Sequence, residues 1–270
     1  MHRALLVVAL ALVSCDGNDG HDDNGCGDPL TPGVQTLTIT VDGVERTYVL
    51  FVPANYDPNQ QTPLVFAWHD SGRTAAEARA MFMIEAAAPV PAIFVYPQGL
   101  AGTERGWDLE PDGVDVAFYD ALSERLRADF CVGPTFSTGY EFGAYLTNKL
   151  GCLRGGSEPG SVTAIAPVAG GGPGRPGAPG NGDDCRGPIP AAIMHGVNDF
   201  LIAPSYGQDS YETWRWLGGC QGPDEPVAPG SICEMGTCSL APVEWCFHSG
   251  GHVWPSVAPA EMWALFQAAM

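Results

Sequence analysis

The chain has 270 residues, with 12 lysines and arginines against 31 aspartates and glutamates, so its formal net charge is −19. This balance disfavours nucleic acid as a partner, because phosphates are bound by basic patches. The length suffices for one large domain with a substantial core. Because 35 residues are glycine and 24 are proline, we expect long, ordered loops within that domain.

The N-terminal segment has the pattern of an export signal. A short basic start at Arg3 precedes an apolar run over residues 4–12, which is too short to span a bilayer as a mature helix. Small residues stand directly before Cys15, as in a bacterial lipobox. We therefore predict that residues 1–14 are a lipoprotein-type signal peptide and that Cys15 receives lipid; the alternative is an ordinary signal peptide followed by an incidental cysteine. Residues 15–35, rich in aspartate and glycine, are expected to form a solvated acidic tether.

This N-terminal pattern predicts an extracytoplasmic protein, either lipid-anchored to a bacterial membrane or secreted. Contact with a membrane is expected only through the lipid anchor.

The remaining chain, residues 36–270, alternates strand and helix signals. Two alternating apolar runs, 36–41 and 46–53, are separated by Asp42-Gly43, which predicts a β-hairpin. Further strands are predicted at 63–68, 92–96, 162–168, 189–195 and 243–247, and helices at 75–88, at 116–130 and around Tyr211 and Trp263. The pattern predicts an α/β fold, with a mostly parallel sheet, an N-terminal antiparallel hairpin and helices on both faces. Ligands of such a sheet bind at the carboxyl ends of its strands.

A strand, a sharp turn and a helix are predicted over residues 135–152. The turn reads Gly139-Tyr140-Glu141-Phe142-Gly143. Two glycines four residues apart are typical of a nucleophile elbow, because a Cβ at either position would collide with the neighbouring strand or helix. Glu141 occupies the projecting position, where the G-x-S-x-G pattern has serine.

Three more motifs follow predicted strands. Residues 69–72 (His-Asp-Ser-Gly) stand where an α/β-hydrolase forms half of its oxyanion hole. Residues 195–199 offer Asp199 in a turn, and residues 250–255 offer His252 on a glycine-rich loop. The order of nucleophile position, acid and histidine is that of an α/β-hydrolase triad. In such a triad the acid orients the histidine, and the histidine takes the proton of the nucleophile.

Each of these residues also has a structural explanation. Asp199 alone is a common turn residue, and His252 alone is more often an ordinary loop histidine than a base. We expect His69 to support its own loop rather than to act in catalysis. The aromatic residues expected to pack and to line the pocket are Tyr140, Phe142 and Trp254. Together and in this order, the motifs favour the α/β-hydrolase interpretation.

The sequence contains nine cysteines, and the eight besides Cys15 predict up to four disulfides in an exported chain. We expect Cys131 to pair with Cys152, because these residues bracket the elbow strand and its helix. Four cysteines near the last strand are expected to pair among themselves: Cys220, Cys233, Cys238 and Cys246. No C-x-x-C motif occurs, so the sequence indicates no metal site.

The motifs together resemble the secreted polyhydroxybutyrate depolymerase and feruloyl esterase group of the α/β-hydrolases. The resemblance covers about residues 36–268 and rests on the segments 46–53, 63–66, 96–99, 139–152, 195–199 and 251–255. It implies a serine hydrolase of carboxylic esters whose ligand is an ester, a polyester or a feruloylated polysaccharide. It implies no cofactor, and we expect a monomer.

Matched by position, Asp199 and His252 correspond to the acid and the base of this group. Backbone N–H groups of Phe142 and of the turn at Asp70 and Ser71 correspond to the oxyanion hole.

Two residues depart from the pattern of this group. Glu141 stands at the nucleophile position, and Asp70 stands where the group usually has glycine. Glutamate attack on a carbonyl would form a mixed anhydride, and added carboxylates would repel a developing oxyanion. The loss of serine argues against ester hydrolysis, because removal of a triad nucleophile typically lowers turnover by about 10⁶.

Three interpretations follow. In the first, the chain is a non-catalytic pocket protein that binds an ester, a glycan or a polymer, and Glu141 pairs with His252 and raises the histidine pKa. In the second, it hydrolyses esters by another route, through Ser71, through Ser137 or with Glu141 as a base. In the third, Glu141 attacks an alkyl carbon, and His252 and water then hydrolyse the resulting ester.

Overall fold

The computed structural model describes residues 25–27, 31–101, 106–174 and 184–270. The predicted signal peptide, the predicted lipidation site Cys15 and most of the predicted tether lie outside these residues. Within the described ranges, no helix is long and apolar enough to cross a membrane.

The described residues form ten strands and six helices. The strands are β1 (Gly33–Val41), β2 (Val44–Val52), β3 (Thr62–Trp68), β4 (Ile93–Pro97), β5 (Val132–Tyr140), β6 (Val162–Val168), β7 (Ala191–Gly196), β8 (Cys220–Pro226), β9 (Cys233–Cys238) and β10 (Val243–His248). The helices are α1 (Ala75–Phe82), α2 (Ile84–Ala87), α3 (Val114–Asp129), α4 (Phe142–Arg154), α5 (Pro204–Leu217) and α6 (Ala258–Ala268).

The strands form one sheet in the order β1-β2-β4-β3-β5-β6-β7-β10-β9-β8. Neighbouring strands from β4 to β10 are parallel, whereas the hairpins β1-β2 and β8-β9 lie antiparallel at the two edges. The predicted fold class, a mostly parallel sheet with an N-terminal antiparallel hairpin, is confirmed. Strands β3, β5, β7 and β10 are parallel to one another, so the four predicted motifs all lie at the carboxyl ends of the strands.

Apolar side chains cover both faces of the central sheet. In β3 all seven residues are buried. Leu64, Phe66 and Trp68 belong to the core cluster on one face, whereas Val65 and Ala67 belong to the cluster on the other face. This alternation follows from the two-residue period of a strand, and burial on both faces is typical of parallel sheets.

The helix predicted over residues 75–88 is interrupted at Met83. Met83 has a left-handed backbone conformation with φ 52° and separates α1 from α2. The break has a packing reason, because Phe82 and Ile84 are both buried whereas Met83 is exposed. In one continuous helix, Phe82 and Ile84 would point about 200° apart, and only one of them would face the core.

The segment from Gly218 to Gly230, rich in glycine and proline, contains a strand that the apolar pattern does not predict. Strand β8 pairs with β9 at the far edge of the sheet. Most of its side chains are exposed, so it lacks the apolar alternation by which strands are recognised in sequence.

Four disulfides join the described cysteines, and the predicted Cys131–Cys152 bond is wrong. Cys131 instead pairs with Cys26, and Cys152 pairs with Cys185. The segment at residues 25–27 lies beside the start of β5, where Gly27 N–H donates to the carbonyl of Pro58. The disulfide therefore fastens part of the predicted tether to the domain, and β1 begins three residues before the predicted domain start.

The end of α4 lies against the segment that leads into β7, where Arg186 N–H donates to the carbonyl of Cys152 at 2.9 Å. Cys152 therefore has its partner in Cys185 rather than in Cys131. The prediction that the last four cysteines pair among themselves is confirmed by the bonds Cys220–Cys238 and Cys233–Cys246.

A buried ion pair connects the hairpin strand β2 to α3. Arg46 Nη2 lies 2.5 Å from Asp115 Oδ1, and both side chains are almost fully buried. The guanidinium also lies 3.9 Å from the centre of the Phe118 ring, and the second Asp115 oxygen accepts the N–H of Asp108. Burial raises the pKa of Asp115, although these hydrogen bonds oppose the shift.

Candidate active site

The sharp turn between β5 and α4 has the geometry of a nucleophile elbow. Glu141 has φ 54° and ψ −113°, a backbone conformation that side-chain-bearing residues rarely adopt. A Cβ at Gly143 would lie 2.1 Å from the carbonyl oxygen of Trp68, and one at Gly139 would lie 2.3 Å from the carbonyl oxygen of Gly143. Only glycine therefore fits at these two positions, as the sequence pattern predicts.

The Glu141 side chain is directed at the loop after β3. Its Oε2 atom accepts the backbone N–H of Ser71 at 2.6 Å, and the residue is only 8% exposed. Phe142, whose N–H was assigned to the oxyanion hole by resemblance, is the first residue of α4 and follows Glu141 directly. The Glu141 carboxylate therefore accepts a hydrogen bond from one of the two N–H groups that, by resemblance, would stabilise an oxyanion.

The predicted pairing of Glu141 with His252 does not occur among the described residues. The ion-pair partner of His252 in that part of the chain is Asp199, and the Glu141 carboxylate hydrogen-bonds to Ser71 instead.

His69 supports the loop that carries Asp70 and Ser71. Its Nε2 accepts the N–H of Gly99 at 2.9 Å, and its Nδ1 lies 2.8 Å from the carbonyl of Asp70, so Nδ1 is the protonated nitrogen. The Trp107 indole donates to the His69 carbonyl at 2.7 Å. Burial lowers the pKa of His69 and so favours the neutral ring, which agrees with one ring nitrogen donating and the other accepting.

Asp70 places a second carboxylate near Glu141. Burial raises its pKa, and the neighbouring charge of Glu141 adds to that shift, whereas the ion pair with Arg73 opposes it. The Arg73 Nε atom lies 3.0 Å from Asp70 Oδ2. The loop that would stabilise an oxyanion is therefore flanked by acidic groups.

Asp199 and His252 come together after β7 and β10. The Nδ1 atom of His252 lies 2.8 Å from Asp199 Oδ2, and the Asp199 side chain is fully buried. Burial alone would raise the pKa of Asp199, but the hydrogen bond to His252 and the N–H groups of Ile202 and Leu201 outweigh it, so the net pKa is lowered. The geometry is that of the acid and histidine of a hydrolase triad, in which a carboxylate holds Nδ1–H.

His195 also faces Asp199, and sequence analysis assigned it no role. Its Nε2 atom lies 3.0 Å from the carbonyl of Ile202 and 3.4 Å from Asp199 Oδ2, so the N–H of Nε2 is directed at both acceptors. Burial lowers the pKa of His195, which favours the neutral ring. The sequence feature that could have drawn attention to His195 is the His195-Gly196 pair with which the 195–199 motif begins.

One of the three aromatic residues predicted to line the pocket, Tyr140, lies against the histidine. The Tyr140 ring centre lies 5.0 Å from that of His252, and Trp254 stands edge-on to Tyr140. Trp254 also stacks on Phe82 with ring centres 3.9 Å apart. Burial raises the pKa of Tyr140, and the carboxylates of the site add to this shift, so the phenol stays protonated.

The serine considered as an alternative nucleophile within the elbow strand is part of the core. Ser137 is fully buried, and its Oγ accepts the indole N–H of Trp68 at 3.0 Å. This environment does not expose Ser137 to a ligand.

One group in the described ranges has oxygen and sulfur atoms close enough to suggest a metal site: Cys233, Glu244 and Cys246. Cys233 and Cys246 form a disulfide, so neither offers a thiolate, and this group does not fit a metal ion.

Comparisons with known proteins give a consistent result. No protein-family model matches the chain. The chain is 31% identical over 290 residues to feruloyl esterase C of Emericella nidulans, with all of both chains covered. It is 27% identical over 255 residues to feruloyl esterase D of Neurospora crassa, covering 85% of this chain and 81% of that protein.

Solved structures share the fold. An acetyl xylan esterase from Aspergillus awamori superposes with a TM-score of 0.65 at 16% identity, covering 86% of this chain and 98% of that chain. A ferulic acid esterase from Anaeromyces mucronatus gives a TM-score of 0.55 at 14% identity, covering 92% and 94% of the two chains.

Proposed function

The chain belongs to the feruloyl esterase family of α/β-hydrolases, and on that premise we propose that it binds an ester in its pocket without hydrolysing it. Asp199 and His252 are the retained acid and histidine of the site. Glu141 is the residue at the nucleophile position. The ligand class is a carboxylic ester, of which a feruloyl ester is the first to test.

The contact between Glu141 and Ser71 carries this proposal. A tetrahedral intermediate needs N–H donors around its developing oxyanion. In this chain the Ser71 N–H already donates to a carboxylate at 2.6 Å, so a second negative oxygen there would be repelled. Attack by Glu141 on the carbonyl is also unproductive, because it would yield a mixed anhydride instead of a stable acyl ester.

The rest of the pocket keeps the features needed to hold a ligand. The pair of Asp199 and His252 offers one ring nitrogen of His252, Nε2, for a hydrogen bond, since Nδ1 is held by the carboxylate. The rings of Tyr140 and Trp254 supply apolar contact beside it. A pocket of aromatic surface with a few oriented polar groups is typical of small-molecule sites.

The cellular location is a further part of the proposal. Four disulfides among the described cysteines favour an oxidising compartment outside the cytosol. We infer that the protein is a monomer anchored through lipid on Cys15. Incorporation of labelled fatty acid into the expressed chain tests this, and a Cys15→Ser variant that incorporates as much label would contradict it.

The experiment that tests the proposed function uses the purified chain with methyl ferulate. We expect saturable binding, seen as a change in tryptophan fluorescence, with no release of ferulic acid above that given by the His252→Ala variant. Saturable acid release that His252→Ala abolishes would overturn the proposal and favour hydrolysis by another route. If Glu141 instead attacks an alkyl carbon, the His252→Ala variant should accumulate a substrate-derived adduct on Glu141, which mass spectrometry detects. Such an adduct would also overturn the proposal.

A further inference from the structure

A groove of about 780 Å³ lies at the amino ends of the parallel strands, at the opposite end of the sheet from the candidate site. One wall is the C-terminal half of α3, where Asp120, Glu124 and Arg127 share a helix face because they are three or four residues apart. The facing wall is formed by the segments that lead into β6 and β7, with Ser161 directly before β6 and Arg186 shortly before β7. The candidate site follows the carboxyl ends of the strands, so this groove is a separate site.

Two arginines that line this groove lack the ion pairs that the other arginines form. Six of the eight arginines in the described ranges pair with carboxylates. The other two, Arg127 and Arg186, have no carboxylate partner among the described residues, and both line the groove, which is termed the arginine groove below. In a chain with 31 acidic and 12 basic residues, carboxylate partners are abundant. Two unpaired guanidinium groups in one groove therefore indicate cationic groups that are available to a ligand.

The carboxylates that line the arginine groove do not cancel this charge. Arg154 Nε donates to Asp120 Oδ1, and Arg154 Nη2 donates to Asp120 Oδ2, each at 2.7 Å. Asp120 therefore belongs to an ion pair without net charge. Glu124 is exposed to water, which screens its charge. The groove thus carries a net positive charge in an otherwise acidic chain.

The walls that carry the two arginines are fixed in place. The Tyr119 hydroxyl of α3 donates to the carbonyl of Gly160 at 2.9 Å, which holds the turn before β6 against the helix. On the other wall, the Arg186 N–H donates to the carbonyl of Cys152 at 2.9 Å, next to the Cys152–Cys185 disulfide. Charges carried on fixed elements reduce the ordering cost of binding a ligand.

We propose that the arginine groove binds a small organic molecule that carries a doubly charged anionic group, either a phosphate monoester or a pair of carboxylates. Guanidinium groups bind both anions through paired N–H donors, and two of them balance two negative charges. The groove volume lies within the range of about 300–1,000 Å³ that is typical of small-molecule sites, and it exceeds what one inorganic anion fills. The ligand is therefore an organic molecule, and its binding does not depend on the ester proposed for the candidate site.

Larger anionic partners fit the arginine groove less well. Nucleic acids and anionic membranes are bound by extended basic surfaces that contact many phosphates. The groove offers two unpaired arginines beside the exposed Glu124, and the chain has a net charge of −19. Long-range repulsion therefore opposes a polyanion more than it opposes a small dianion.

The test is calorimetric titration of the full chain at low ionic strength with glucose 6-phosphate and with succinate; glucose is the uncharged control. The variants are Arg127→Gln and Arg186→Gln, alone and combined. The matched control is Arg125→Gln, which removes the same charge from the same helix. Arg125 is 62% exposed, pairs with Asp129 and lies about 200° around the helix axis from Arg127. Thermal unfolding of each variant verifies the fold, and Arg186 is exposed, so its substitution removes no buried contact.

We expect one dianion to bind the parent saturably with one site per chain, and glucose not to bind. The tighter of the two dianions identifies the anionic group as a phosphate or as a pair of carboxylates. Arg127→Gln and Arg186→Gln should each weaken binding at least about tenfold, as the loss of one charge-assisted hydrogen bond predicts. Arg125→Gln should bind like the parent.

Three results would overturn the proposal: no saturable binding of either dianion, undiminished binding by the double variant, or an equal loss in Arg125→Gln, which would reduce the effect to net charge. Methyl ferulate binding separates this site from the proposed function. The double variant should bind methyl ferulate as the parent does, and competition between a dianion and methyl ferulate would place the dianion in the candidate site and reject the arginine groove. Failure of the parent to bind methyl ferulate would reject the proposed function and leave the groove in place.

Discussion

Replacing Glu141 by serine should convert the proposed ester-binding site into an esterase. The elbow already holds residue 141 in the strained backbone conformation that a nucleophile needs, with φ 54°. The substitution supplies a hydroxyl and removes the carboxylate that accepts the Ser71 N–H at 2.6 Å. His252, oriented by Asp199 at 2.8 Å, is the base for the new hydroxyl.

The size of the gain follows from two opposing effects. A triad nucleophile typically accounts for about 10⁶ in turnover, which is about 8 kcal/mol of transition-state stabilisation. Asp70 remains beside the oxyanion site and weakens it. If its effect is comparable with the loss of one oxyanion donor, it removes about 10²–10³ of that gain. We therefore expect Glu141→Ser to hydrolyse methyl ferulate at least about 10³-fold faster than the parent.

The assay follows ferulic acid release by chromatography, with Glu141→Ala as the control that removes the carboxylate without adding a nucleophile. The double variant Glu141→Ser with His252→Ala should lose the gained activity. A folded Glu141→Ser protein that binds the ester but hydrolyses it no faster than Glu141→Ala would refute the reasoning.

Three further predictions concern charged groups. Arg46→Ala should lower the free energy of unfolding by about 3–5 kcal/mol, because it leaves the Asp115 carboxylate buried without its partner. Chemical denaturation measures this free energy, and a loss below about 1 kcal/mol would contradict the prediction. The pKa of Asp199 is lowered in the folded state, so the contribution of this carboxylate to stability is present above its unfolded pKa of about 4 and is lost as the pH falls through the folded value. Asp199→Asn lacks the carboxylate, so its melting temperature should fall less than that of the parent as the solution is acidified. Equal falls in the two proteins would reject the assignment. Burial, with the charge of Glu261, raises the pKa of Glu244 to about 7, so the folded state loses stability as the pH rises from the unfolded pKa of about 4.3 towards 7. Glu244→Gln removes this ionisation and should have a higher melting temperature than the parent at pH 8. A higher melting temperature at acid pH alone would contradict the prediction.

Turn chemistry made the elbow and the first hairpin predictable from sequence. At the hairpin, Asp42 and Gly43 both have positive φ, 49° and 80°, which is the type I′ turn that this dipeptide favours. At the elbow, the two glycines are required by close backbone approach. The Asp-Gly dipeptide and the Gly-x-x-x-Gly pattern are each visible within a few neighbouring residues, so local sequence suffices to predict both turns, although the close approach at Gly143 is to Trp68 on strand β3.

Features that depend on distant segments were not predictable. Strand β8 is held by pairing with β9 and by the Cys220–Cys238 bond, and its own residues favour a loop. The partners of Cys131 and Cys152 are set by which segments pack against the start of β5 and the end of α4. The sequence could not reveal these neighbours.

At the candidate site, the sequence identified the residues but not all of their contacts. Asp199 and His252 meet as the motif order suggested. The contact of Glu141 with the Ser71 N–H, rather than with His252, depends on where the loop after β3 lies. The position of His195 beside Asp199 likewise depends on the packing of α5, since a Cβ on Gly207 would lie 2.4 Å from the His195 ring.

The most direct test of the central claim, that this site binds esters but lacks a nucleophile, is covalent trapping with a fluorophosphonate, which reacts with activated hydrolase nucleophiles. Intact mass spectrometry of the treated parent should show an unmodified chain, while Glu141→Ser should gain one adduct on the new serine. A stoichiometric, His252-dependent adduct on the parent, at Ser71 or at any other residue, would contradict the claim and identify the group that had replaced the missing serine.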